Sequence, residues 1–177
     1  MNLQPRYGAR RAAALYIFVT FLGLFDIAGA LADGQVEIRV TDHQAGIGNF
    51  HKLQISIAEI MLHKSGQARR DGWTSILRES RSVDIVPLKD GKWESIGVVQ
   101  VPPGRYDAIR VRANAREARY KSGKQFPLHS LDTVLASPME IKDGMKSTVL
   151  VDFYVEDQTE HLPPRYVLKL RRVAPLP

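Results

Sequence analysis

The sequence of 177 residues contains no cysteine. Its absence excludes disulfides, zinc–thiolate sites, iron–sulfur clusters, thiol catalysis and a lipid-modified N-terminal cysteine. After residue 32 the sequence also lacks long helical periodicity and the H-x-H, H-E-x-x-H and calcium-loop spacings of common metal sites. A chain of this length forms one domain with one core. We therefore expect a single domain of strands that holds no metal and no cofactor.

The first 32 residues have the order of an export signal. Met1–Arg11 is basic, Ala12–Phe25 is mostly apolar, and Ala30–Ala32 supplies the small residues of a cleavage site. The basic end of such a segment stays in the cytoplasm, so residues 33–177 are predicted to form an extracytoplasmic domain.

An uncleaved anchor is the alternative for the same segment. As a helix, residues 12–32 would match the hydrocarbon core of a bilayer at about 1.5 Å per residue, although Asp26 is costly there. The predicted membrane segment includes Ala12, Phe18, Phe21, Phe25 and Ala32. With an anchor, the domain would stand on the periplasmic face of the inner membrane, whereas cleavage would release it into the periplasm.

Short alternating runs separated by turn residues fill the rest of the chain. Val36, Ile38 and Val40 alternate with polar residues, and similar runs recur up to Val173. A change of phase at Ala58-Glu59 predicts a β-bulge. Eight to ten such strands favour an all-β fold, a single antiparallel β-sandwich of the transthyretin or immunoglobulin type, preceded by one N-terminal apolar helix.

The most regular run is Val101–Ala113, which reads VPPGRYDAIRVRA. A Pro-Pro-Gly turn leads into a strand with Ile109, Val111 and Ala113 on one face. The other face is predicted to hold Tyr106, Ala108, Arg110 and Arg112.

These runs resemble a domain of unknown function found in exported bacterial and archaeal proteins. The resemblance spans nearly all of Gly34–Val173. It is carried by Asp42, the I-x-E-I of Ile57–Ile60, the P-x-G-x-Y-x-x-I-R of Pro102–Arg110 and the Asp152-Phe153 pair. It implies a transthyretin-type or carboxypeptidase-regulatory-type sandwich, often tethered as a lipoprotein, with no established catalytic residues. This chain departs from the pattern in having no lipidation cysteine and in having Leu170 where proline is frequent.

Basic residues are concentrated in one part of the domain. Seven lie between Arg105 and Lys124, against only Asp107 and Glu117. We expect either a solvated face or a surface for an acidic partner. The candidate basic face consists of Arg105, Arg110, Arg112, Arg116, Arg119, Lys169 and Arg171.

Other combinations of residues do not predict a catalytic site or a metal site. His129 and Asp132 lie in an extended segment that cannot align a catalytic triad. Asp42, His43 and His51 are expected to be solvated loop residues, and Trp73 and Trp93 to lie in the core or at corners. Nucleic acid is an improbable partner for an exported domain without a stacking platform or reading helix.

Two functions fit these features, and neither is enzymatic. The first is an accessory subunit, anchored in the membrane and packed on the protein subunits of a larger membrane complex of respiratory or photosynthetic type. The second is a secreted periplasmic module that binds a glycan or an anionic ligand. An exposed aromatic pair beside polar loop residues would favour the second, whereas two buried tryptophans would count against it.

Overall fold

The computed structural model describes residues 32–43, 46–77 and 79–176. Within these residues the chain forms ten strands and two short 3-10 helices, Gly46–Asn49 and Val86–Leu88. The strands are β1 (Gly34–His43), β2 (Phe50–Lys64), β3 (Trp73–Ser75), β4 (Arg81–Asp84), β5 (Trp93–Val101), β6 (Gly104–Tyr120), β7 (Leu128–His129), β8 (Leu131–Ile141), β9 (Lys146–Gln158) and β10 (Arg165–Leu176). The predicted all-β class and number of strands are confirmed.

The strands form two sheets. Sheet 1 has the order β5-β1-β9-β10-β7, and sheet 2 has the order β3-β2-β6-β8, with β4 also paired to β2. The expectation of purely antiparallel pairing is wrong, because β1 pairs with β9 and β7 with β10 in parallel. Alternation of apolar and polar residues has the same period in both kinds of pairing, so the sequence pattern could not distinguish them.

One hydrophobic core contains residues from both sheets. Val36, Ile38 and Val40 of β1 are fully buried, as are Ile57 and Ile60 of β2. Each such side chain contributes about 1.5–3 kcal/mol through removal from water. A hydrogen bond also joins the two sheets, from Ser137 Oγ on β8 to the carbonyl of Val173 on β10 at 3.2 Å.

The predicted bulge at Ala58 is confirmed. The pairing of β2 with β6 shifts between Ile57 and Glu59, so one extra residue of β2 lies opposite β6 and the strand keeps its inward face.

A second bulge, at Asp107, corrects the predicted faces of β6. Against β2, Ala108 pairs with His63 and Tyr106 with Lys64, so Asp107 is an extra residue of β6. Tyr106 therefore lies in the core, whereas Arg110 and Arg112 stay outside. The Tyr106 hydroxyl donates a hydrogen bond to the carbonyl of Pro102 at 2.8 Å. This bond fixes the Pro-Pro-Gly turn to the strand that follows it.

Most of the predicted membrane segment, including Ala12, Phe18, Phe21 and Phe25, lies outside the described residues. Ala32 is exposed, and its carbonyl accepts a hydrogen bond from Gly144 N at 3.4 Å. The described part of the chain contains no helix with the length and apolar character needed to span a bilayer.

Candidate functional site

The candidate site lies on sheet 1, where one row of residues crosses four neighbouring strands. Trp93 of β5 pairs with Thr41 of β1, which pairs with Asp152 of β9, which in turn pairs with Arg172 of β10. Directly paired residues bring their side chains within reach of one another. The sheet therefore assembles a tryptophan, a carboxylate and an arginine from distant parts of the sequence.

Two cavities open along this row. The first, of about 320 Å³, is lined by Thr41, Asp42, His43, Gly91, Trp93, Leu150, Asp152, Arg171, Arg172 and Leu176. The second, also of about 320 Å³, is lined by His43, Tyr154, Leu170 and Arg171. Because His43 and Arg171 line both cavities, we treat them as one surface, the Trp93–Tyr154 groove.

Trp93 forms one end of the groove and is 48% exposed. The expectation of a core or corner position is wrong for this residue, because the edge strand β5 turns Ile96 and Val101 inward instead. The guanidinium of Arg39 stacks over the Trp93 ring, with its central carbon 3.8 Å from the ring centre. Thr41 Oγ1 donates a hydrogen bond of 2.6 Å to the carbonyl of Lys92, which holds the start of β5 against β1.

Glu37 fixes the position of the stacked Arg39. Its carboxylate accepts a hydrogen bond from Arg39 at 3.0 Å and lies 3.1 Å from Lys146 Nζ. The hydrogen bonds from Arg39 and then Lys146 lower the pKa of Glu37 to about 2. The carboxylate therefore remains ionised at any physiological pH, and Arg39 keeps a paired charge on the face of Trp93.

Arg171 and His43 meet in the middle of the groove. Arg171 Nη1 lies 2.7 Å from His43 Nδ1. A guanidinium can only donate, so Nδ1 accepts and the neutral imidazole carries its proton on Nε2. The Arg171 side chain remains 51% exposed.

Asp152 provides negative charge beneath the arginines and is only 3% exposed. Its Oδ2 lies 3.4 Å from Arg172 Nε and 3.9 Å from Arg171 Nη1. The first distance is that of a close ion pair, whereas the second is too long for a hydrogen bond. Arg172 is thus the principal partner of Asp152.

Asp42 is a second carboxyl group in the groove lining, but it has no polar partner. It is 4% exposed, and neither of its carboxylate oxygens has a hydrogen-bond partner. Burial, followed by the nearby charge of Asp152, raises the pKa of Asp42 to about 8. At neutral pH the side chain is therefore mostly the uncharged acid. The expectation of a solvated loop residue is wrong, because Asp42 belongs to β1.

A comparison with known protein families identifies the family of this domain. Residues 33–169 match the family described as Domain of unknown function (DUF4382). The chain belongs to this family. Searches of curated proteins and of solved structures found no match.

The four sequence features behind the resemblance occupy two places in this DUF4382 domain. Asp42 and the Asp152-Phe153 pair meet on sheet 1, where Asp42 pairs directly with Phe153. Ile57–Ile60 contains the β2 bulge, and Pro102–Arg110 contains the turn held by Tyr106. Asp42 and Asp152 are among the residues that line the groove, whereas Phe153 lies in the core, and the other two features shape sheet 2.

The candidate basic face of the DUF4382 domain is divided between the two sheets. Lys169 and Arg171 lie on β10 of sheet 1. The others lie on β6 of sheet 2: Arg105, Arg110, Arg112, Arg116 and Arg119.

Acidic residues neutralise much of the basic charge on sheet 2. Arg110 donates two hydrogen bonds of 2.9 Å to Asp132, and Arg112 lies 3.3 Å from Glu59. Arg119 pairs with Glu117 at 2.8 Å. Glu59 and Asp132 come from the neighbouring strands β2 and β8, so a count along β6 alone overestimated the charge of this face.

The remaining candidates lie apart from the groove. Trp73 is half-buried, donates a hydrogen bond to the carbonyl of Arg69 and contacts the ring of His63. His51 lies on β2 in the other sheet. Among the described residues, no three side chains of His, Asp or Glu come close enough to hold a metal ion.

Sequence reasoning did not single out Tyr154 or the contact between Arg171 and His43. The signal for Tyr154 was present, because alternation along β9 places Leu150, Asp152 and Tyr154 on one face. No signal marked the contact of Arg171 with His43, which are 128 residues apart.

Proposed function

We propose that this chain is a non-catalytic, extracytoplasmic β-sandwich of the transthyretin or immunoglobulin type that binds a glycan in the Trp93–Tyr154 groove. The observation that carries the proposal is the exposed ring of Trp93, which lies beside polar side chains in a cavity of the size used for small ligands. Large aromatic rings that stay exposed at a concave site suit ligands with both apolar and polar surfaces. Sugars have such surfaces, since C–H faces alternate with hydroxyl groups.

The groove contains a second ring at its other end. Tyr154 is half-buried in the adjoining cavity, and Arg171 and His43 line both this cavity and that of Trp93. Two aromatic surfaces separated by hydrogen-bonding groups would contact successive units of an oligosaccharide. The groove thus offers one exposed ring, Trp93, and one half-buried ring, Tyr154, beside polar side chains.

The polar groups of the groove are arranged for binding. The Thr41 hydroxyl donates to a backbone carbonyl, and His43 Nδ1 accepts from Arg171. Neither arrangement supplies an activated nucleophile with a free base beside it. Both arrangements hold side chains in place, which is the requirement for recognition.

The position of the groove suits a ligand that comes from outside the cell. From Gly34 to His43, β1 covers nine residue steps, or about 30 Å at about 3.3 Å per step. The groove therefore lies far along β1 from Ala32.

A glycan array with the full-length chain in detergent tests the proposal. The array carries neutral, amino and uronic-acid polysaccharides. We expect wild-type protein to bind at least one of them, and Trp93→Ala to lose that binding because the platform is removed. Val98→Ala is the matched control, since Val98 is also exposed on β5 but does not line either cavity. Binding to none of the polysaccharides, or equal binding by Trp93→Ala, would overturn the proposal.

An anchored accessory subunit is the second candidate, and three cations favour it. Arg116, Lys121 and Lys124 are exposed, and within the described parts of the chain no carboxylate lies within 4.0 Å of them. Unpaired cations at one end of β6 suit an acidic partner protein.

Extraction of the native protein from membranes tests this second function. We expect an intact mass that includes Met1–Ala32 together with co-purifying subunits. Replacement of the three cations by Gln should release those subunits, whereas Lys89→Gln, on the surface near β4, should not. A mass that begins at Asp33 in the soluble fraction would contradict the accessory role.

A further inference from the structure

Arg171 has hydrogen-bonding capacity that the protein does not use. A guanidinium carries five N–H donors in a fixed planar arrangement. In this structure one of them reaches His43, and the contact with Asp152 at 3.9 Å is too long for a hydrogen bond. The donors that remain belong to a half-exposed group that lines both cavities of the groove.

His43 holds Arg171 without cancelling the positive charge of the guanidinium. A carboxylate partner would both orient the guanidinium and cancel its charge. The neutral His43 ring orients it by accepting one hydrogen bond and adds no negative charge. A guanidinium fixed in this way loses less conformational freedom when it binds an anion.

The charged side chains that line the groove leave one cation in excess. Arg171 and Arg172 share the single carboxylate of Asp152, because Asp42 is largely uncharged at neutral pH. The neighbouring cations have other partners: Lys169 pairs with Glu156 at 2.6 Å, and Arg39 and Lys146 share Glu37. Arg39 and Lys146 line neither cavity, so the excess charge inside the groove is centred on Arg171.

We propose that the ligand of the Trp93–Tyr154 groove is an acidic glycan whose carboxylate or sulfate group is bound by Arg171. This inference rests on the proposed function and adds the ligand class. Planar guanidinium groups bind carboxylate and sulfate oxygens through paired hydrogen bonds. The anionic group would lie between the two sugar units that contact Trp93 and Tyr154. His43 acts as a positioning residue.

Calorimetry with two forms of one ligand tests the inference. The probes are hexagalacturonate and its fully methyl-esterified form, which has the same sugar rings without the charges. With the full-length chain we expect at least about tenfold tighter binding of the acid, which corresponds to about 1.4 kcal/mol. Arg171→Gln should abolish this preference. Arg116→Gln is the matched control, since it removes one exposed positive charge from sheet 2 and should keep the preference.

Two further variants test the role of His43. Gln can still accept a hydrogen bond from Arg171, so His43→Gln should keep much of the preference for the acid. Leu cannot accept one, so His43→Leu should lose the preference even though Arg171 is present. Equal loss in both variants would contradict the positioning role.

The outcomes separate the two proposals. Equal binding of the acid and its ester by wild-type protein, or a preference that survives in Arg171→Gln, would overturn the acidic ligand class and leave glycan binding intact. Failure of both probes to bind would also overturn it. The proposal of glycan binding is overturned only if the array shows no polysaccharide that binds through Trp93.

Discussion

Asp42 and Asp152 lie one position apart on the neighbouring parallel strands β1 and β9, and both are almost completely buried. Asp152 has Arg172 as its partner, whereas Asp42 has none. Burial, followed by the nearby charge of Asp152, raises the pKa of Asp42 to about 8, so Asp42 is mostly uncharged at neutral pH.

The stability of the domain should reflect the raised pKa of Asp42. The folded protein holds a proton on Asp42 up to about pH 8, whereas the unfolded chain loses it near pH 4. Between these values the folded state binds more protons, so the free energy of unfolding decreases as the pH rises.

Asp42→Asn removes this titration. From pH 5 to pH 8 we expect the unfolding free energy of the variant, measured in urea, to gain at least about 1.4 kcal/mol relative to wild type. Asp143→Asn serves as the control, because Asp143 is an exposed turn residue. A constant difference between Asp42→Asn and wild type across this range would show that Asp42 is ionised in the folded state.

His63 should titrate at a higher pH than an ordinary histidine. Its ring is 1% exposed, with Nδ1 at 2.8 Å from Asp107 Oδ1 and Nε2 at 3.2 Å from the carbonyl of Ala68. The hydrogen bond with Asp107, followed by that with Ala68, raises the pKa of His63. The stabilisation is complete below the unfolded pKa of about 6.5 and is lost as the pH rises through the folded value.

An NMR titration of the His63 ring checks this prediction. Asp107→Asn should lower the pKa of His63, and it should destabilise the protein more at pH 6 than at pH 9. Asp71→Asn, a nearby exposed position, should leave the titration unchanged. A His63 pKa that does not respond to Asp107→Asn would contradict the proposed cause.

The hydroxyl of Tyr106 should stabilise the turn before β6. Tyr106→Phe keeps the buried ring but removes the hydrogen bond to the Pro102 carbonyl. We expect a loss of about 0.5–1.5 kcal/mol in the free energy of unfolding, measured by urea denaturation. An unchanged midpoint would mean that water replaces the hydroxyl at no cost.

The ion pair between Arg110 and Asp132 should contribute little to stability. Both side chains are more than one-third exposed, and the pair joins β6 to the edge strand β8. A double-mutant cycle with Arg110→Gln and Asp132→Asn should give a coupling of about 0.2–1 kcal/mol that decreases at high salt. A larger, salt-independent coupling would identify the pair as a principal link between the two strands.

The sequence predicted the elements of the fold better than their arrangement. Alternation along β1, β6 and β9 identified these strands, because one face of each contacts the core. Alternation is a weaker signal along β8, since its inward positions include Thr133 and the polar Ser137. The bulge at Asp107 was missed because strict alternation was extended from Ile109 back to Tyr106, although that phase places the charged Asp107 on the inner face.

The groove itself could not be predicted from local patterns. Trp93, Asp152 and Arg171 belong to three strands, and only the parallel pairing of β1 with β9 brings them together. Such pairing depends on contacts between distant segments. Likewise, the partners of the basic residues on β6 come from neighbouring strands, which a count along the sequence does not reveal.

Fluorescence of Trp93 during a titration with hexagalacturonate tests the central claim most directly. The chain has two tryptophans, so Trp73→Phe leaves Trp93 as the single reporter, and Trp93→Phe leaves Trp73. We predict a saturable change of emission in the Trp73→Phe protein and none in the Trp93→Phe protein. No change in either protein, or an equal change in both, would contradict binding of an acidic glycan at the Trp93–Tyr154 groove.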